Sequence, residues 1–129
     1  MKFLGLDYGS TQIGIALTDD EGRIAFPHAS IPNDEKAVAF VRALLGKEKV
    51  SGIILGDTRT VSGAENPITP SADAFAHALE ATGVPVTRMW EAWSSIEASR
   101  YAPEGVHSDA AAAAVILQRY LDTKENRIQ

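Results

Sequence analysis

The stretch Phe3-Leu4-Gly5-Leu6-Asp7-Tyr8-Gly9-Ser10-Thr11-Gln12-Ile13-Gly14-Ile15-Ala16-Leu17 decides the fold. It opens on an apolar run that stops at a carboxylate, Tyr8-Gly9-Ser10 supplies turn chemistry, and Ile13 to Leu17 resumes an extended pattern. Two strands joined by a tight connection predict a hairpin. Asp19-Asp20-Glu21-Gly22 is a second turn, and Arg23 to Ile31 a looser third strand. Pro27 places that strand at an edge or a bulge, because proline cannot donate to a ladder.

After Pro32 the period changes. Ala37, Val41, Leu44 and Leu45 fall on one helical face, with Asn33 as N-cap and Gly46 as the stop. Val50 to Leu55, closed by Gly56, has the continuous apolar composition of a strand covered on both faces. A second helix starts at Thr69-Pro70, buries Ala72, Phe75, Ala76 and Leu79, and ends at Gly83. Val84 to Trp90 reads as a further strand. Ser94-Ser95-Ile96-Glu97 has the form of a capping box and predicts a short helix, and Ser108 caps a last helix from Asp109 to about Lys124. Helices returning between strands require parallel neighbours, so the expected architecture is α/β: a mixed five-stranded sheet, three antiparallel strands followed by two parallel ones, with helices on both faces.

With 129 residues, the chain is expected to form a single domain spanning 1–129. The absence of cysteine excludes a disulfide scaffold, a thiolate metal site and a cysteine nucleophile, and fits a cytoplasmic protein. The early carboxylate at Asp7 is wrong for a signal peptide, and no run approaches the ~18 apolar residues of a membrane span. A net charge of −5 argues against holding nucleic acid by bulk electrostatics. His28, His77 and His107 are too scattered for a zinc site.

In open α/β sheets, sites gather beyond the carboxyl ends of the strands. Asp7 and Glu91 stand at two such ends, and Asp109 opens the final helix, where the helix dipole favours its ionised form. Gly9, beside Asp7, lets a backbone or a phosphate approach closely. Ala110, Ala113, Ala114 and Leu117 give the last helix a face small enough to lie close to the sheet and bring Asp109 toward Asp7. Converging carboxylates repel one another unless a cation neutralises them. Oxygen-only ligands suit Mg²⁺ or Mn²⁺, and two such ions about 3.5–4 Å apart activate a water and stabilise a leaving oxygen in phosphodiester cleavage. The expected chemistry is therefore that of a metal-dependent nuclease. Arg59 is the best basic candidate for a phosphate contact, against the alternative of a solvated loop charge. Trp90 and Trp93 flank Glu91 and either stack on bases or pack structurally.

Leu4-Gly5-Leu6-Asp7-Tyr8-Gly9-Ser10 with Ile13-Gly14-Ile15-Ala16 resembles the opening signature of the YqgF (RuvX-like) family. Ile53-Ile54-Leu55-Gly56 is similar to the family's buried strand, and Gly63 to the glycine of the loop beyond it. Trp90-Glu91-Ala92-Trp93-Ser94-Ser95-Ile96-Glu97-Ala98 resembles its Asp-Glu-Arg-x-Thr-Thr-x-Glu-Ala segment, and Ser108-Asp109 through Leu121 its closing helix. The resemblance implies an RNase H-like fold and a divalent-metal nuclease assigned to the 5′ end of pre-16S rRNA, earlier described as a Holliday junction resolvase. It makes Asp7, Glu91 and Asp109 the catalytic metal ligands, and puts Ser94 and Ser95 where the family has hydroxyls beside the site, to meet a phosphate or simply to cap a helix; Ser10, in the turn after Asp7, is a further candidate for substrate binding. The implied partner is nucleic acid, pre-rRNA ahead of a DNA junction, with no membrane and a monomer or homodimer as the acting form.

Departures from the pattern are local. Gln12 stands where the family often has Lys or Arg, Ala92 replaces the Arg after the catalytic Glu, and Asp57-Thr58 replaces the end of Gly-Leu-Pro. Between Arg88 and Asp109 only Arg88 and Arg100 face Glu91, Glu97, Glu104 and Asp109. These losses keep open an alternative, a catalytically weakened nucleic-acid- or protein-binding module of the same fold. Sugar kinases and actin-like ATPases use a similar Asp-x-Gly-Thr/Ser turn, but that architecture needs two such domains.

Overall fold

A computed structural model of the chain describes residues 1–9, 11–57, 69–90 and 109–128. Strands β1 (Lys2–Tyr8), β2 (Gln12–Thr18), β3 (Ala25–Pro32), β4 (Val50–Asp57) and β5 (Val86–Trp90) form one sheet in the order β3-β2-β1-β4-β5. β1 pairs antiparallel with β2, and β2 with β3; β4 and β5 run parallel to β1. The expected mixed sheet is thus present, and the parallel strands point their carboxyl ends, Tyr8, Asp57 and Trp90, to one rim.

Alternation along each strand divides the core in two. Leu4, Leu6, Ile13, Ile15, Ile53 and Leu55 bury one face against helices α1 (Ala37–Lys47) and α2 (Thr69–Glu80), through Val41, Leu44, Leu45, Phe75 and Leu79. Phe3, Ala16 and Ile54 bury the opposite face against helix α3 (Asp109–Ile128), through Ala113, Ile116, Leu117 and Leu121. Each Leu or Ile so removed from water contributes about 1.5–3 kcal/mol before chain entropy is counted, so the sheet is the stable platform of the molecule. Among the described residues no helix is long and apolar enough to cross a membrane.

Two local expectations are corrected. Asn33 does not cap α1, whose N-cap is Lys36 with no side-chain cap bond; its side-chain amide is drawn instead to the Gly9 carbonyl. Nor does Gly46 end the helix, which runs on to Lys47 before Lys49 takes up a left-handed φ of 53°. The buried face of α1 is nevertheless the expected one, because burial of Ala37, Val41, Leu44 and Leu45 depends on period and not on the caps. Pro27 meets both of its expectations: β3 is an edge strand, and its register against β2 slips at Ile15/Ala16, leaving His28 as the extra residue opposite them.

Candidate active site

Asp7 is the penultimate residue of β1 and is half-buried. Its register partner on β2 is Gly14, and Gly14 in turn is the partner of Ser30 on β3. Directly opposed residues of antiparallel strands lie about 4.5–5.5 Å apart at Cα and point to the same face, so Asp7, Gly14 and Ser30 form one row across three strands on the α3 side.

The middle of that row is empty of side chain, and α3 uses the space. A Cβ on Gly14 would run into the carbonyl carbon and oxygen of Asp109 and lie 2.8 Å from the Ala110 nitrogen. Further along, a Cβ on Gly5 would meet Leu117 Cβ at 2.8 Å and the Ala113 carbonyl at 2.9 Å. The helix therefore seats on the sheet through two glycines of the strands as well as through its own alanines, and its first residue, Asp109, comes down over the row that begins with Asp7. Ser30 Oγ donates to Asp109 Oδ2 at 3.2 Å, tying the carboxylate to β3.

The turn after Asp7 is fixed by the backbone. Gly9 N–H donates to the Gln12 carbonyl at 2.9 Å, and a Cβ on Gly9 would approach that carbonyl to 2.6 Å. The glycine is thus required for the turn to close. Asn33 fastens the same turn to the end of β3: its Nδ2 donates to the Gly9 carbonyl at 2.8 Å and its backbone N–H to the Thr11 carbonyl at 2.9 Å. Gln12 begins β2 exposed.

Asp7 and Asp109 are accordingly brought to one rim. Glu91, Ser10, Arg59, Ser94 and Ser95 lie outside the described residues, as do Ala92, Trp93 and His107; Trp90, immediately before Glu91, ends β5 on the same rim. Among the described residues no three His, Cys, Asp or Glu side chains gather as a metal cluster. The two carboxylates are hard oxygen donors set where the start of α3 approaches the sheet, a donor set that fits Mg²⁺ or Mn²⁺ and not a softer metal. Of the nearby basic residues, Arg88 points to the other face, where its Nη2 pairs with Asp73 of α2 at 2.6 Å.

Sequence reasoning did not single out Gly14, Ser30 or the true task of Asn33. A glycine inside an otherwise β-branched strand is a signal of close backbone approach, and it stood in Ile13-Gly14-Ile15.

A mixed five-stranded sheet in this order, with helices on both faces, is the RNase H-like fold. The Thermus thermophilus RuvC structure superposes with a TM-score of 0.64 at 17% identity, covering 98% of this chain and 97% of that one. The family model described as "RuvX: Holliday junction resolvase" matches residues 1–123. A protein of Anaeromyxobacter sp. named "Putative pre-16S rRNA nuclease" is 39% identical, over 95% of this chain and 97% of its own length. One of the same name from Novosphingobium aromaticivorans is 35% identical over 94% of this chain and 84% of its own. The chain belongs to the RuvX (YqgF) family.

Proposed function

We propose that this protein is a divalent-metal-dependent endonuclease that hydrolyses phosphodiester bonds in the 5′ extension of pre-16S rRNA, with DNA junctions as the less favoured substrate. The observation that carries the reading is the seating of the Asp109 backbone over the Asp7–Gly14–Ser30 row, at the strand-end rim where Asp7 stands. The name shared by relatives matched across nearly the whole chain supports RNA over DNA.

Asp7, Asp109 and Glu91 are the residues that hold the metal, and Mg²⁺ or Mn²⁺ bound there, as a pair of ions, would supply an activated water and neutralise charge on the leaving oxygen. Asp7 is held at the rim by the ladder of the central strand, so its backbone position is set before any substrate arrives. Asp109 is held twice, by its helix on the Gly14 seat and by the Ser30 hydroxyl. Ser10, Ser94, Ser95 and Arg59 contact phosphate oxygens, and the closed Gly9 turn lets the nucleic-acid backbone come near Asp7. The protein acts in the cytoplasm, as one RNase H-like domain, in monomeric or homodimeric form.

A second reading, a weakened binding module, is favoured by one feature: Gln12 and Ala92 stand where basic residues grip substrate in the family. One experiment separates them. Purified protein is given a 5′-extended 16S precursor and a four-way DNA junction, with and without Mg²⁺ or Mn²⁺. The nuclease reading expects ion-dependent cleavage, faster on the RNA, that falls at least about 100-fold in Asp7→Asn, Asp109→Asn and Glu91→Gln, since even loss of a residue behind a metal ligand costs 10–100-fold. Binding without cleavage supports the module, and undiminished cleavage by Asp7→Asn removes that residue from the mechanism.

A further inference from the structure

Ser30 touches a site carboxylate without being part of any motif. Its Oγ donates to Asp109 Oδ2 at 3.2 Å, from a strand that is itself registered against Gly14 and, through Gly14, against Asp7. The residue is exposed on the edge strand, so it adds little to the core. Its contact has a different consequence. A carboxylate on the first residue of a helix is otherwise free to turn about its own side-chain bonds. A hydroxyl carried on a β-ladder restrains that rotation and engages one oxygen, so that Oδ1 can take a cation's charge without the Oδ2 bond being broken. Carboxylates that ligate metals are commonly held in this way by a hydrogen-bonding partner behind them.

We infer that Ser30 is a positioning residue for Asp109: its hydroxyl fixes the carboxylate in the orientation that binds the divalent ion. This rests on the nuclease reading above and assigns the edge strand β3 a part in the site that neither Asp7 nor the closing helix supplies. Ser30 meets no substrate; it acts through Asp109 alone.

The test compares the wild-type protein with Ser30→Val, which keeps a strand-favouring side chain but no hydroxyl, Ser30→Thr, which keeps the hydroxyl, and Asp109→Asn. Mn²⁺ affinity is measured by calorimetry, the Mn²⁺ concentration for half-maximal cleavage is measured alongside, and each variant's melting temperature is recorded. Ser30→Val is expected to weaken Mn²⁺ binding about tenfold or more and to raise the half-saturating Mn²⁺ in step. Its rate at saturating Mn²⁺ falls much less, its melting temperature stays near wild type, and Ser30→Thr restores the affinity. Unchanged affinity in Ser30→Val, or a Ser30→Thr as defective as Ser30→Val, overturns the inference. So does an affinity loss that merely follows a lost melting temperature. If Asp109→Asn loses Mn²⁺ while Ser30→Val keeps it, Ser30 alone is overturned. If the wild type binds no Mn²⁺, or Asp109→Asn binds as tightly as wild type, the metal reading of Asp109 falls and Ser30 falls with it.

Discussion

The carbonyl group of Asp109 occupies the place where a side chain on Gly14 would have to be. The obstruction is helix backbone and not a flexible side chain, so it cannot move aside alone; the whole start of α3 has to lift. Gly14→Ala should therefore lower stability by about 1–3 kcal/mol, as overpacking of a closed core does, or roughly 3–10 °C in melting temperature for a domain of this size. Gly5→Ala is the control. It meets Leu117 Cβ and the Ala113 carbonyl at 2.8 and 2.9 Å, a full turn and more away from Asp109, and should cost comparable stability while leaving the carboxylate near its place. Cleavage assayed at a temperature where both variants are folded should fall much further in Gly14→Ala. Equal losses would disconnect the Gly14 seat from the site.

What the sequence discloses and what it hides follow one physical division. Strands β1, β2 and β4 and the buried face of α1 were legible because each follows from local periodicity, which survives any arrangement of the remainder. Asp7 and Asp109 were legible as a strand-end carboxylate and a helix-opening one, positions where chemistry and topology coincide. That the last helix approaches the sheet was legible in its alanines, but the seat it takes on Gly14 was not. Gly14 becomes a seat only once the last helix is known to lie on the face of Phe3 and Ala16, and that choice of face is a tertiary fact. Asn33 has the local chemistry of an N-cap, but long-range partners take both ends of its side-chain amide: Nδ2 donates to the Gly9 carbonyl, and Oδ1, the atom a cap would use, accepts from Tyr8 Oη. Ser30 carries no local signal, since a small polar residue on an edge strand looks the same with or without a carboxylate above it.

Asn33 links two parts of the rim, and its loss should be felt in substrate binding. Its side-chain amide holds the Gly9 carbonyl at 2.8 Å, while Tyr8 Oη donates to its Oδ1 at 3.5 Å. Asn33→Ala should cost about 1 kcal/mol of stability and loosen the turn beside Asp7, raising KM for nucleic acid several-fold with a smaller change in kcat. Asn33→Asp keeps an acceptor for Tyr8 but loses the donor to Gly9 and adds a negative charge beside the turn proposed to meet phosphates, so its KM should rise further. A KM equal to wild type in both variants would confine Asn33 to a structural part.

Gln118 fastens α3 to the opposite end of β3. Its Oε1 accepts from the Ala25 N–H at 2.9 Å, and its Nε2 donates to the Arg23 carbonyl at 3.2 Å and to Asp122 Oδ1 at 3.1 Å. One side-chain amide thus pairs with two backbone groups at the entry to the edge strand, much as a neighbouring strand would. Gln118→Leu removes these bonds without changing the volume much and should cost about 2 kcal/mol, with faster hydrogen exchange at the Ala25 amide. Gln118→Glu keeps the acceptor but loses both donors and sets a second carboxylate beside Asp122. It should melt below wild type at neutral pH and recover part of the difference on acidification; a pH-independent deficit would exclude the charge repulsion.

Acid stability should be governed at the end of the sheet away from the site. Lys2 Nζ lies 3.0 Å from Glu48 Oε1 and 3.3 Å from Asp20 Oδ1, joining the start of β1 to the approach to β4 and to the second turn. The hydrogen bond from Lys2 holds the Glu48 carboxyl below its ordinary range, and the Arg23 backbone N–H, at 2.8 Å, does most to hold Asp19 below its own. The same contacts, Glu48 first and Asp20 next, raise Lys2. A carboxyl whose folded pKa is lowered binds its proton more readily in the unfolded chain, so its contribution is whole above about pH 4–4.5 and is lost as the pH falls through the lowered folded values. Lys2 has the opposite sense: its contribution is whole below about pH 10.4 and is lost as the pH rises through the raised value. The melting temperature should therefore be insensitive to these groups between about pH 5 and 9, and fall on both sides. Glu48→Gln should flatten part of the acid limb and also remove part of the alkaline one, because it deprives Lys2 of its main partner. Asp19→Asn, whose Oδ1 can still accept from the Arg23 N–H, should flatten the acid limb alone. Since the charges are near the surface, salt should shrink the Glu48–Lys2 effect more than the Asp19 effect, which rests on backbone donors. Melting curves from pH 3 to 11 at low and high salt check all three, and an acid limb unchanged in both variants would place the acid sensitivity elsewhere in the chain.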